Sequence, residues 1–222
     1  MSKDSSSKKT LTLLQNQSKK ESEPTSLKNK NWFLDLYASP DIPFNIISSS
    51  GSPIFVDFMK QNFKTQISYT VGARVGISFA KHFSAKAGFQ YSQINAKFND
   101  SIPIVDRYRS IDIPFLIGYD IENPDFKTTI NAGVIFNLYS SYKGRIIDSN
   151  GVAEINVANI YKHNTGLSLY IGLNFAKRLN NKIQLFTEPY FRYRLSYMTK
   201  PHAPFNQKIN IAGVSFGLKY NL

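Results

Sequence analysis

The stretch Gln66 to Phe79, QISYTVGARVGISF, decides how this chain folds. Ile67, Tyr69, Val71, Ala73, Val75, Ile77 and Phe79 occupy one parity, and Ser68, Thr70, Gly72, Arg74, Gly76 and Ser78 the other. Successive side chains of a β-strand point to opposite faces, so the alternation makes one apolar face and one small or charged face. A helix would scatter the same residues around its circumference.

The pattern continues on both sides. After a short turn at Ala80 to His82, Phe83, Ala85, Ala87, Phe89 and Tyr91 alternate with Ser84, Lys86, Gly88, Gln90 and Ser92, which predicts a hairpin. Similar segments run from Asn31 to Ser39, Ser110 to Ile121, Thr128 to Asn137, Leu167 to Phe175, Ile183 to Arg194 and Lys208 to Leu222. These eight strands predict an all-β fold, an eight-stranded antiparallel up-and-down β-barrel over residues 31–222.

Either face of such a barrel can turn inward, and residue size decides between them. The apolar parity carries Ile, Leu, Val, Phe and Tyr on every strand, too much bulk for an eight-stranded interior, whereas the other parity is rich in Gly, Ser, Asn and Thr. Bulky apolar side chains therefore face outward, which is the polarity of a transmembrane barrel. No run reaches the roughly 18 apolar residues of a transmembrane helix. The mean hydropathy of -0.28 suits a chain that gives only alternate residues to lipid.

The connections are expected to alternate, with about 26, 3, 17, 5, nearly 30, 6 and about a dozen residues in order. Short turns mark the periplasmic side of such barrels, which places both termini there. Trp32, Phe79, Phe83, Tyr119, Phe175 and Tyr220 then form an aromatic girdle near the short turns, and Tyr69, Tyr91, Phe136 and Tyr193 a second one at the far end. The inward set holds Asp35, Asp112, Asp120 and Glu188 against Arg74, Lys86, Arg192, Arg194 and Lys219. Unpaired buried ions cost several kcal/mol each, so a lumenal charge network is expected around Arg74, Lys86, Asp112, Glu188, Arg192 and Arg194. Glu188 is expected between Arg74, Lys86 or the two arginines of the seventh strand, Arg192 and Arg194, and an open diffusion pore is not expected.

Residues 1–30 hold seven Lys against one Asp and two Glu and are otherwise rich in Ser, Gln and Asn, the composition of a disordered basic linker on the periplasmic side. Leu11, Leu13 and Leu14 are too few for a signal-peptide core, so an exported precursor is expected to be longer than this sequence. The whole chain has a formal net charge of +12 with 17 Phe and 13 Tyr. That combination can mark nucleic-acid binding, but here the aromatics are assigned to lipid, and no nucleic-acid partner is expected. Lys60, Lys64, Arg107, Arg109, Lys143, Arg145, Lys162 and Lys200 are expected in the outer loops, as solvating charges or as contacts to lipopolysaccharide phosphates.

Three stretches carry a family resemblance. YRSIDIPFLIGY (Tyr108 to Tyr119), NAGVIFNLYSS around Gly133, and the closing GVSFGLKYNL resemble the small outer-membrane β-barrel proteins of Bacteroidetes. The resemblance implies a bacterial outer-membrane location. It also makes Phe216, Leu218, Tyr220 and Leu222 look like a signal read by the barrel-assembly machinery, although an aromatic residue is more usual at the last position. The start NWFLDLYASPDIPFN behind a polar linker is similar to barrels that end dual-membrane-spanning anti-sigma factors, which implies a periplasmic partner for the tail.

Chemistry beyond anchoring has few candidates. The absence of Cys excludes disulfides and thiolate metal sites, and no zinc pattern can be built around three His. Some barrels of this size are enzymes of lipid A that use His and Ser at the outer rim, which singles out His163. Catalysis there needs a partner within reach and an apolar slot for an acyl chain, and the expected lumen is charged. No catalytic residue, cofactor or metal is therefore expected. The expected role is that of an anchor, sensor or adhesion element, with an envelope-signalling barrel and a lipid A-modifying enzyme as the alternatives.

Overall fold

The computed structural model describes residues 31–49, 53–98, 104–121, 126–144, 146–147, 154–155 and 160–222; the expected linker over residues 1–30 and Arg145 lie outside the described residues. Each alternating segment forms a strand: β1 (Asn31–Ser49), β2 (Phe63–Ser78), β3 (Phe83–Phe98), β4 (Ile104–Ile121), β5 (Lys127–Lys143), β8 (Leu167–Arg178), β9 (Ile183–Arg194) and β10 (Phe205–Asn221). Helix α1 (Pro53–Asn62) connects β1 to β2, and two short strands, β6 (Ile146–Ile147) and β7 (Glu154–Ile155), pair with each other between β5 and β8. All eight long strands pair antiparallel with their neighbours, and β1 closes on β10.

The register fixes the barrel's dimensions. Following paired residues around the wall from Trp32 leads through Ile77, Ala85, Ile117, Ala132, Ile171, Phe191 and Ala212, and returns to β1 at Ile42. The path therefore climbs ten residues in one circuit, and every residue on it is apolar. Ten residues at about 3.3 Å each, on strands tilted by roughly 40°, rise about 25 Å. This matches the height of the apolar band on an outer-membrane barrel. The lower girdle residues Trp32, Phe79, Phe83, Tyr119, Phe175 and Tyr220 all point outward. Phe83 meets Tyr119 edge-on, with ring centroids 5.3 Å apart.

Several strands run further from the termini than their alternation predicts. β1 continues past Ser39 to Ser49, β3 past Ser92 to Phe98, and β4 begins at Ile104 instead of Ser110. The expected connections of about 26 and 17 residues shrink to residues 50–62 and 99–103. In β1 the sequence Ser39-Pro40-Asp41 reads as a turn, yet the strand passes through it. Pro40 lacks an N–H, and the pairing of β1 with β10 skips Ser39 and Pro40 before resuming at Asp41.

In β3 and β4 the extension escapes notice because the polarity of the wall reverses there. Ile94, Ala96 and Tyr108 turn inward and are buried, while Gln93, Asn95, Lys97, Arg107 and Arg109 face out. Ile47, Phe205, Ile209 and Ile211 join the inward group. Val56 of α1, with Ile160, Tyr161, Met198 and Ala203 from the connections, completes an apolar core inside this end of the barrel. The two connections that cover it are stitched together: Lys162 N donates to Met198 O at 2.9 Å, and Lys200 N to Ile160 O at 2.7 Å. β1 departs from the reversal, keeping Phe44 and Ile46 exposed on its outer face.

The basic residues assigned to outer loops also need correction. Lys64, Arg107, Arg109 and Lys143 lie on strands and Lys60 on α1; Lys162 and Lys200 lie in connections.

Candidate functional site

The residues that could act on anything other than lipid converge in the lumen. Glycines on the inward face of β2 make the space. A methyl group on Gly76 would lie 2.2 Å from Phe33 Cζ, and one on Gly72 would lie 2.6 Å from the Tyr37 hydroxyl. Only glycine lets these two rings cross the lumen beside Arg74.

Glu188 of β9 is fully buried and holds the centre. Its Oε1 accepts from Arg74 Nη1 at 2.9 Å and from the Tyr170 hydroxyl, while Oε2 accepts from Asn131 Nδ2 at 2.8 Å and Asn174 Nδ2 at 2.9 Å. Donors from β2, β5 and β8 thus converge on one carboxylate. The Arg74 guanidinium also lies 4.4 Å from the centroid of the Tyr37 ring, a cation–π contact.

Farther from the termini, Asp112 receives Arg192 Nη1 at 2.8 Å, Ser110 Oγ at 3.0 Å and Asn137 Nδ2 at 2.7 Å. The Tyr37 hydroxyl donates to Gln90 Oε1 at 3.0 Å, and Gln90 Nε2 reaches Asp112 Oδ2 at 3.5 Å, linking the two centres. Arg194 donates to Thr165, and its guanidinium lies 5.7 Å from the Tyr108 ring. Nearer the termini, Lys86 Nζ lies 3.6 Å from Asp35 Oδ2. At the mouth, Lys127 Nζ lies 2.6 Å from Asp120 Oδ2.

All six residues of the expected network, Arg74, Lys86, Asp112, Glu188, Arg192 and Arg194, are therefore inside and buried. They do not form one cluster around Glu188. Arg74 pairs with Glu188, Arg192 with Asp112, and Lys86 with Asp35. A further site was not anticipated: Asp41 accepts from the hydroxyls of Ser39, Thr70 and Tyr190 at 2.6, 2.6 and 2.7 Å. Its inward parity continues from Asp35, but the proline beside it conceals the strand.

This arrangement holds a wall together and keeps the carboxylates of Asp41, Asp112, Asp120 and Glu188 hydrogen-bonded. His163 is stacked on Tyr139 with ring centroids 5.7 Å apart, and its Nδ1 lies 3.2 Å from the backbone carbonyl of Ser140. His82 Nδ1 likewise faces the Asp120 carbonyl at 3.1 Å. Among the described residues no three His, Cys, Asp or Glu side chains gather as metal ligands do. The closing Phe216, Leu218, Tyr220 and Leu222 all face outward on the wall.

Comparison with known proteins gives the fold a context. A family model described as an outer membrane protein β-barrel domain matches residues 16–199. Among solved structures, the outer membrane protein OprG of Pseudomonas aeruginosa is similar over 87% of this chain and 96% of its own, at 13% identity and a TM-score of 0.50. Neisserial surface protein A is similar over 86% and 97%, at 11% identity and a TM-score of 0.46. The outer membrane protease OmpT of Escherichia coli covers 90% and 99%, at 8% identity and a TM-score of 0.46. At these identities the likeness concerns the fold alone. No protein of curated function matches the chain.

Proposed function

Since the chain belongs to the outer membrane protein β-barrel domain family, we propose that it is a non-enzymatic barrel of the bacterial outer membrane, an anchor, sensor or adhesion element working through its outer rim. The observation that carries this reading is the filled interior: three buried ion pairs along the lumen and an apolar core over its far end. Such a lumen passes no solute and offers no acyl-chain slot. In planar lipid bilayers the purified chain should show no steady open-channel conductance; stable ohmic steps would refute the plug.

Both termini are read as periplasmic. β2 ends, β3 begins, β8 ends and β9 begins at the barrel end where β1 starts and β10 finishes, with only residues 79–82 and 179–182 between them, whereas α1 lies at the other end. Protease added to intact cells should then cut the outer connections and spare a tag at either terminus.

The rim supports lipopolysaccharide as the lipid partner. Arg107 stands opposite Lys143 in the antiparallel register. Like charges directly across a sheet destabilise it, and a phosphate bound between them would relieve that repulsion. Chain purified from outer membranes should carry lipopolysaccharide, and Arg107→Gln with Lys143→Gln should carry less. Equal amounts on both would contradict the assignment.

The polar composition of residues 1–30 supports a second reading, the outer-membrane end of a Bacteroidetes-type envelope-signalling protein whose tail meets a periplasmic partner. Deleting residues 1–30 should then change transcription while the barrel stays folded; an unchanged transcriptome would count against it. The outward closing residues Phe216, Leu218 and Tyr220 suit recognition by the barrel-assembly machinery.

A further inference from the structure

We infer that the barrel end bearing the termini contains a binding site for a small oxyanion, a carboxylate or phosphate group. A cavity of about 290 Å³ opens there, lined by Ser84, Asp120, Lys127, Arg178, Gln184 and Lys219 among others. Three of these side chains are cationic and one is anionic. Lys127 is already paired with Asp120, and Arg178 is exposed at the rim.

Lys219 is the unbalanced charge. It is 4% exposed, and among the described residues no carboxylate lies within ion-pair distance of its ammonium. Its Nζ lies 4.6 Å from the centroid of the Phe33 ring. Asp35 stands opposite Lys219 in the register of β1 and β10, but its ion-pair contact is with Lys86. One carboxylate thus serves two buried ammonium groups, and neither of its oxygens has a hydrogen-bond partner.

An oxyanion in the cavity supplies the missing charge. The Lys219 ammonium gives a charge-assisted hydrogen bond, and the Ser84 hydroxyl and Gln184 amide are further donors lining the same cavity. The far end is closed by the apolar core, so the ligand enters from the end that carries the termini. That this end faces the periplasm rests on the orientation proposed above, but the site itself does not.

Titration of the folded, isotope-labelled chain in detergent micelles tests the inference. Inorganic phosphate and, separately, acetate are added at constant ionic strength held with chloride, and backbone amide shifts are followed. Saturable shifts confined to Ser84, Gln184 and Lys219 with either anion support the site, and the anion that binds tighter identifies the group. Lys219→Met should weaken binding about tenfold or more, the loss of a charge-assisted bond, while Lys64→Gln on the outer wall should leave it unchanged. Should Lys219→Met fail to fold, Arg178→Gln at the rim should still weaken binding severalfold. Shifts that never saturate, that chloride alone reproduces, or that both Lys219→Met and Arg178→Gln leave intact would overturn the site. None of these results bears on channel conductance, so the plugged-barrel reading stands or falls separately.

Discussion

The barrel wall is two materials in one sheet. From Trp32 to Ile42 on β1, and at matching heights around the circuit, bulky apolar residues face out and a hydrogen-bonded ionic lumen faces in. Beyond that level most of the wall reverses, with Ile94, Tyr108, Phe205 and Ile209 inside and Gln93, Asn95, Lys97, Arg107 and Arg109 outside. One backbone architecture serves both because a strand assigns alternate residues to opposite faces whatever the solvent. The solvent on the outside chooses which parity is apolar, and the inside takes what remains. In the lower region the interior must therefore satisfy charge, and in the upper region it can pack like the core of a soluble barrel.

Four substitutions separate the two regions. The largest effect should come from Glu188→Ala, which leaves Arg74 buried without its carboxylate and costs about 3–5 kcal/mol. Denaturant unfolding of the chain in lipid vesicles measures it, and a change within experimental error would show that the ionic lumen is not what holds the lower region. In the upper region, Phe205→Ala opens a cavity in the apolar core and should cost about 3–4 kcal/mol in the same assay. A Phe205→Ala variant as stable as the parent would mean that the far end is not packed as a core.

The same lysine placed on the outer face should separate the two solvents. Ile171→Lys, in the apolar circuit, should cost about 2–4 kcal/mol, whereas Asn95→Lys, above it, should cost only about 1 kcal/mol, through the like charge of Arg107 opposite and the lost bond to the Ile67 carbonyl. Equal costs would erase the distinction between the regions. A last, local effect belongs to the connection leading into β8. Gly166 has a φ of 75°, and a side chain there would also crowd Ser196. Gly166→Ala should cost about 1 kcal/mol through backbone strain, visible as a lowered unfolding midpoint with the barrel intact.

The lower region was legible in the sequence because its two parities differ in both size and polarity. QISYTVGARVGISF announces a lipid-facing strand, and the inward placement of Arg74 and Glu188 follows from parity alone. Pairing inside the lumen was not legible. Asp112 on β4 and Arg192 on β9 meet across the barrel, a contact set by closure and shear rather than by neighbouring strands. The upper region was harder still. Gln93 to Phe98 and Ile104 to Arg109 mix polar residues with apolar ones in the parity opposite to that of the lower wall, so a reader following the lower pattern sees it end and reads a loop. Helix α1 lacks a first-turn acidic residue to mark its start, so the sequence shows only a long connection there.

The chain contains no native cysteine, which permits the most direct test of the reversal. Spin labels at Phe115→Cys and Leu173→Cys, and at Asn95→Cys and Arg107→Cys, report collisions with membrane-soluble oxygen and with a water-soluble nickel chelate. Oxygen should dominate relaxation at the first pair and nickel at the second, in the same reconstituted barrel. Labels at Phe115 and Leu173 as accessible to the nickel chelate as those at Asn95 and Arg107 would contradict the reversal.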